Sequence, residues 1–480
     1  MPLQALQVQR NSLKTGLITE SAVSENDYPK DAVIEAVNFQ FDTIGEATLR
    51  KGTTLLGNTL GTDILGLYQF IDSAGNNNQI IAVQGTKVYY LSGGVWSEKR
   101  TVTSGKKAWF STFLNYVFMV NGTDTTLTWD GSASAFGTTN AVGAPIGKYI
   151  ENYRARMWIA GNSTYPDRLY YSSLPSAVTT PLITWDTGVT TGQWIDISPS
   201  DGENITALHR TKDSLLVFKN NHIYRVYSIA QADPDPKFNV GTYSQESVVE
   251  TKNGVYFFHS TGIYRYNGEV QEISRPVRDF IGNITFGNYT KVTGYLETDG
   301  DHVCFSVGDV TVKGISYANV VLRYTISTQV WTTYSYPTQQ LASASYNDGS
   351  ALFMLVGDES GNVLKIEVGK TDNETNINYS LIHNWDNIDG LNVSRKTLNK
   401  LLFLNKGMTG SNINYQIEND VLNDWTKKIG QIKQGDTGFG SLAIKGRKFK
   451  FRISGVSSGE PIIYQGWELV DGESELIMFN

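Results

Sequence analysis

Apolar and polar positions along this chain alternate in short bursts, not in helical stripes, and the bursts recur as a unit. A strand rich in Val, Ile and Phe leads through a turn with Gly or Asn into a strand carrying Tyr or Trp. "IIAVQGTKVYYLSGGVWSEK", "YVFMVNGTDTTLTWDG", "RMWIAGNSTYPDRLYYSS", "LLVFKNNHIYRVYS", "GVYFFHSTGIYRYNGEVQEIS", "VLRYTISTQVWTTYS" and "LFMLVGDESGNVLKIEV" are the clearest cases. Aligned on the second strand of each unit, Tyr89, Thr128, Tyr170, Tyr224, Tyr264, Arg323 and Lys365 follow at steps of 39, 42, 54, 40, 59 and 42 residues. Four short antiparallel strands and their turns use about 40–45 residues, the length of a β-propeller blade. A four-stranded sheet cannot bury both faces alone, so such units stack around an axis. Unrelated hairpins in β-sandwiches also place turn signals about every 8–12 residues, but a Tyr recurs at the aligned place in four of the seven units, which favours the propeller. The expected fold is all-β, with a propeller of six or seven loosely repeated blades over residues 61–375.

The flanks read differently. In residues 1–60 "YPKDAVIEAVNFQF" shows no strict alternation before a turn at Gly45 and the short strand "EATLRKG", so an N-terminal arm is expected. After residue 375 the 40-residue beat stops. Longer strand-like segments follow, "INYSLIHNWDNIDGLNVSRKTLNKLLFLNKG", "NINYQIENDVLNDWTKKIGQIKQG" and "RKFKFRISGVSSGEPIIYQGWELV". A C-terminal β-rich platform domain over 376–480, packed with the arm, is the simplest reading.

Composition agrees with strands: 26 Tyr, 20 Phe and 10 Trp accompany only 18% charged residues, against about 25% in an average globular chain. Glycine is scattered through turn dipeptides such as Asn121-Gly122, Asp130-Gly131, Asn253-Gly254 and Asp348-Gly349. A net charge of −7 argues against a surface built to grip nucleic acid or an anionic membrane. The one cysteine, Cys304, and five scattered histidines exclude disulfide scaffolds and thiolate or His-rich zinc clusters. The first residues lack a signal-peptide core, and no apolar run approaches the ~20 residues that span a bilayer. A soluble protein of a reducing cytoplasm is expected, its eight N-x-[ST] sequons being chance products of Asn/Thr-rich turns.

The search for chemistry leaves little. Gly455-Val456-Ser457-Ser458-Gly459 fits G-x-S-x-G, but Pro461 and the strand-like "IIYQGWEL" stand where the nucleophile elbow requires a helix. Walker, dinucleotide-binding and H-E-x-x-H patterns are absent. Asp299 with Asp301, Asp233 with Asp235, and Asp358 with Glu359 sit in turns, where Asp caps local amides. The repeated S-x-D-x-G-x-x-W hairpin of propeller sialidases is missing. No enzyme activity, cofactor or metal is expected. One charged feature stands out: Lys427, Lys428, Lys433, Lys445, Arg447, Lys448, Lys450 and Arg452 lie within 26 residues that hold one acid, Asp436. In "KFKFRI" alternation puts Lys448, Lys450 and Arg452 on one strand face and Phe449, Phe451 and Ile453 on the other. These three are the candidate contact for an acidic partner, against the plainer reading of a solvated face or a charge-protected edge strand.

The opening "PKDAVIEAVNFQFDTIGEATLRKGTTLLG", with Glu35, Asn38, Gly45, Arg50 and Gly52, resembles that of tail nozzle, or packaged-DNA stabilisation, proteins of short-tailed bacteriophages. The ending "TKKIGQIKQGDTGFGSLAIKGRKFKFRISGVSSGEPIIYQGWEL", a basic strand before a closing hydrophobic hairpin, is similar to that family's C-terminus. The resemblance implies a structural virion protein of the phage tail: a hexameric ring below the portal and adaptor, with tail fibres or spikes outside and DNA passing through the lumen without sequence-specific binding. Six copies at −7 would carry about −42, which disfavours DNA sticking along the channel. The alternatives from other classes are a carbohydrate-binding or carbohydrate-cleaving propeller, with exposed Trp and Tyr beside paired carboxylates, and a peptide-binding scaffold propeller.

Overall fold

The computed structural model describes residues 4–6, 9–24, 27–72, 75, 78–132, 134–176, 183–188, 192–229, 236–388, 394–406, 413–421, 427–432, 437–439, 442–457 and 462–476. Strands dominate them, and the α-helix they contain, Arg278–Gly282, is five residues long. Seven small antiparallel sheets stand around an axis. Their inner strands are Ile64–Ile71, Trp109–Phe113, Tyr149–Tyr153, Ala207–Arg210, Val249–Thr251, Thr293–Leu296 and Gln340–Asn347. The last of these lies against the first, so the ring is closed. It is a seven-bladed propeller.

The seven positions aligned in the sequence fall one per blade, each on the third strand. The two long steps have structural causes. Between Tyr170 and Tyr224 the chain leaves the third blade to place Ile183–Thr184 parallel to Ala141–Val142 before returning as the outer strand Trp194–Asp196. Between Tyr264 and Arg323 come the short helical segments Arg275–Val277, Arg278–Gly282 and Phe286–Lys291 and two strands of eleven residues. Successive blades bury apolar faces on each other, as where Ile81, Val83 and Val88 of the first meet Phe110, Val117 and Met119 of the second.

The outer strand of the seventh blade comes from the other end of the chain. Thr53–Leu55 pairs antiparallel with Val363–Ile366, with Leu55 opposite Leu364 and Thr53 opposite Ile366. The expected boundary at residue 60 is therefore corrected: the strand that closes the ring lies before it. The closing strand is hydrogen-bonded to the last blade and continues along the chain into Ile64–Ile71 of the first, so the ring opens only if that ladder breaks.

The sixth blade extends beyond the propeller. Its outer strand Val330–Ser335 pairs in parallel with Ala32–Val37, and the same sheet runs on through Ile377–His383, Phe449–Ser457, Ile413–Asn419 and Lys427–Ile432. A second sheet, centred on Ser394–Lys406 and Ile463–Leu476, includes Phe39–Gln40 and Ala47–Leu49. The two close into a sandwich in which Phe403 meets Tyr415 and Phe451 meets Trp467, each pair at 4.4 Å between centroids. One core runs from these rings through Phe39 and Trp331 to Tyr256 and Phe258 of the fifth blade. A shared sheet and a shared core make this joint stiff, unlike a linker between independent domains.

Arg50 sits where arm, sixth blade and seventh blade meet, and all five of its N–H groups are used. Nε donates to Asn38 Oδ1 at 2.8 Å, Nη1 to Lys51 O at 2.9 Å and Asp372 Oδ1 at 2.8 Å, and Nη2 to Ser335 O at 2.9 Å and Asp372 Oδ2 at 2.5 Å. The guanidinium also lies 4.1 Å from the centroid of the Tyr336 ring. Asn38 adopts φ 64°, a left-handed conformation that Asn tolerates better than most residues, and its Nδ2 donates to Asn378 O at 2.6 Å. At Gly52 a Cβ would come within 2.0 Å of Thr371 O, so the arm can approach the end of the seventh blade only without a side chain. Removing one partner of a buried ion pair strands the other, at a cost of roughly 3–5 kcal/mol. We expect Arg50→Ala to lower the stability of the full chain by about that amount in urea unfolding; a change below about 1 kcal/mol, the size of a surface pair, would contradict this role.

Candidate functional site

The basic strand has the alternation expected of it: Phe449, Phe451 and Ile453 are buried, and Lys448, Lys450 and Arg452 are half-buried on the opposite face. It is not an edge strand, because Ile377–His383 and Ile413–Asn419 flank it. Counter-charge also comes from within the chain. Lys450 stands opposite Glu418 with its Nζ 4.4 Å from the centroid of Trp385, and Arg452 reaches Glu35 Oε1 at 4.0 Å and Ser380 Oγ at 3.4 Å. Nearby, Arg447 pairs with Asp420 at 2.9 Å. The like charges of Lys450 and Arg452 thus have counter-charge inside the sandwich and need no acidic partner to offset them. Lys433 and Asp436 lie outside the described residues, as do the side chains of Lys427 and Lys428.

The turn acids behave as caps. Asp358 accepts from the backbone N–H groups of Ser360 and Asn362 and from Thr338 Oγ1 and Asn362 Nδ2. Asp301 takes Ser327 N at 3.0 Å and Ser327 Oγ at 2.5 Å. Ser457 is fully buried in its strand, opposite Ile377, while Ser458, Gly459, Asp233 and Asp235 lie outside the described residues.

Asp299 does more than cap, and sequence reasoning missed it. With Asp42 of the arm and Glu297, His302 and Arg323 of the sixth blade it forms one ion-pair network. Arg323 holds Asp42 at 2.8 and 3.1 Å and Glu297 at 3.1 Å through both Nε and Nη2. His302 turns Nδ1 to Asp299 at 2.6 Å and Nε2 to Asp42 at 3.1 Å. Burial opposes the charged ring, but its hydrogen bond to Asp299 and the Asp42 carboxylate at 3.1 Å outweigh that and hold its pKa up to about 9. Burial likewise opposes the Asp42 carboxylate, and His302 and Arg323 outweigh it, holding the pKa far below the usual range. Glu297, Asp299 and His302 have the spacing of three metal ligands, yet Arg323 and the imidazolium already supply the positive charge those carboxylates need. No periodicity or motif links residues some 260 positions apart, so the sequence held no signal for the group. A His whose folded pKa lies above its unfolded value of about 6.5 stabilises fully below that value, and the contribution fades as pH rises through about 9. Chemical unfolding from pH 6 to 10 should therefore show a stability loss near pH 9 that His302→Gln removes; identical pH profiles for both proteins would contradict it.

A cavity of about 490 Å³ lies on the propeller axis, walled by the inner strands of six blades. Glu151, Asn152, His209, Arg210 and Glu250 bring charge and amide groups to it, and Tyr68, Trp109 and Thr112 line its side. Asn152 Nδ2 donates to Thr112 O at 2.5 Å, and its Oδ1 accepts from Arg210 Nη1. Tyr68 OH lies 2.9 Å from Thr112 Oγ1. Burial pushes the Glu151 carboxyl up, with His209 and Arg210 acting against it. The His209 ring, 3.6 Å from Glu250, holds that carboxyl below its usual range.

No protein-family profile matches the sequence, and no curated protein is significantly similar to it. Solved structures similar in shape include the β-propeller domain of Cps50 (Swd1) from Myceliophthora thermophila, 10% identical over 66% of this chain and 99% of that one, TM-score 0.44. BamB from Moraxella catarrhalis is 12% identical over 76% of this chain and 97% of its own, TM-score 0.38. The computationally designed protein Ika8 is 12% identical over 66% and 100%, TM-score 0.40. At such identities the likeness concerns fold alone, and the propeller assignment rests on the strand topology described above. Among the described residues no helix is long and apolar enough to cross a membrane.

Proposed function

We propose that this chain is a structural subunit of a bacteriophage tail, the nozzle-type component that lines the DNA exit below the portal and adaptor. The observation that carries the reading is where the residues of the resemblance lie. Asn38, Arg50 and Gly52 meet at the joint between propeller and sandwich, and Glu35 lies in the strand that continues the sixth blade into the sandwich. A motif devoted to holding two β units rigidly together suits a wall that withstands passing DNA and has no reaction to catalyse. In this reading the sandwich, with the arm woven through it, forms the platform of a hexameric ring, the propeller projects as a lobe towards fibres or spikes, and the acidic copies leave duplex DNA unbound in the lumen.

The basic face keeps a narrower role. Lys450 and Arg452 already have intramolecular partners, so a neighbouring subunit or the adaptor would meet a partly compensated surface, and such a contact acts on docking rate more than on affinity. The direct test is location. Antibody labelling of intact short-tailed particles carrying this chain should mark the distal tail, and the purified chain should form closed rings in negative-stain images. Label on the capsid shell, or no label on particles, would contradict the reading.

A further inference from the structure

The axial cavity has no part in the ring reading, and its chemistry points elsewhere. About 490 Å³ is within the range of small-ligand sites. Its walls carry both signs: the side chains of Glu151 and Glu250 face the guanidinium of Arg210, and the imidazole of His209 lies beside Glu250. A phosphate-bearing ligand would meet two carboxylates, and a polyamine would meet Arg210, so neither strongly charged class is favoured. A purely apolar guest would bury these groups without partners, at a cost of several kcal/mol by ordinary transfer estimates. What the wall offers is both kinds of hydrogen bond at close quarters, carboxylates that accept and Asn152 and Arg210 that donate, beside the ring of Tyr68.

Hydrogen-bonding capacity also remains open. The Glu250 side chain is 58% exposed with the His209 ring 3.6 Å away, and the Arg210 side chain is 56% exposed with Asn152 at one nitrogen and Glu151 4.0 Å from another. Charged groups held in place by neighbours yet open on one side are preorganised for a ligand that gives and takes hydrogen bonds without carrying net charge. We infer that the axial cavity of this propeller binds a short neutral saccharide, one or two sugar units long, at Glu151, Asn152, Arg210 and Glu250.

The test uses the full chain and isothermal titration calorimetry with three probes: glucose, N-acetylglucosamine and maltose. At least one should bind saturably with Kd near or below ~1 mM. Glu250→Gln, which keeps the shape and removes the charge, should weaken it about tenfold, the loss of one charge-assisted hydrogen bond. Ser345→Trp, at an exposed position lining the cavity, should abolish it while leaving the unfolding curve unchanged. Failure of all three sugars to bind would overturn the proposal. So would binding that both variants leave intact, or saturable binding of putrescine or inorganic phosphate in their place. The titration reads the isolated chain, so its outcome is independent of whether rings form.

Discussion

The architecture depends on one buried cation. A guanidinium removed from water must recover its lost hydration, and Arg50 does so by collecting groups from every element that must stay together: Asn38 of the arm, Ser335 at the end of the sixth blade and Asp372 beyond the third strand of the seventh. Only with Thr53–Leu55 zipped to Val363–Ile366 are those groups in reach. The side chain thus makes ring closure and attachment of the sandwich parts of one event. Buried ion pairs are weak sources of net stability, but a partly assembled one is costly, so the pair penalises every arrangement in which arm and blades are misplaced.

A second charged centre works in the same manner on the adjoining seam. Asp42 reaches from the arm to Arg323 and His302 of the sixth blade. Around both centres the buried surface is aromatic and aliphatic, and one core runs from the sandwich into the fifth and sixth blades. Propeller and sandwich therefore move as a single body, the mechanical property that a segment of tail wall would need. The axial cavity lies among the inner strands, so a ligand there could be taken up without disturbing either seam.

The periodic part of this fold was legible in the sequence because each blade repeats one solution to the same packing problem. The seven aligned positions are the seven third strands, and where the aromatic is replaced by Arg323 the reason is the ion-pair network it anchors. The closing strand was missed because it is three residues long and far from the repeat it completes. Ala32–Val37 lacked alternation for a physical reason: it is an interior strand between the sixth blade and the sandwich, covered on both faces, so apolar residues point both ways and the one charged position, Glu35, is buried with Ser380, Tyr317 and Arg452 around it. The facing of Lys448, Lys450 and Arg452 followed from period two, whereas their partners Glu35, Trp385 and Glu418 come from other strands and segments that no local pattern links.

Arm, ring and sandwich form one cooperative unit held by the closing strand and Arg50. Native-state hydrogen exchange on the full chain measures this directly, because amides within one unit share one opening free energy. Amides of Thr53–Leu55, Ala32–Val37 and Val363–Ile366 should exchange only through global unfolding, with the same denaturant dependence as the inner strand Ala207–Arg210. Rapid, denaturant-independent exchange at Thr53–Leu55 while Ala207–Arg210 stays protected would show that the ring stands without its closing strand and would contradict it.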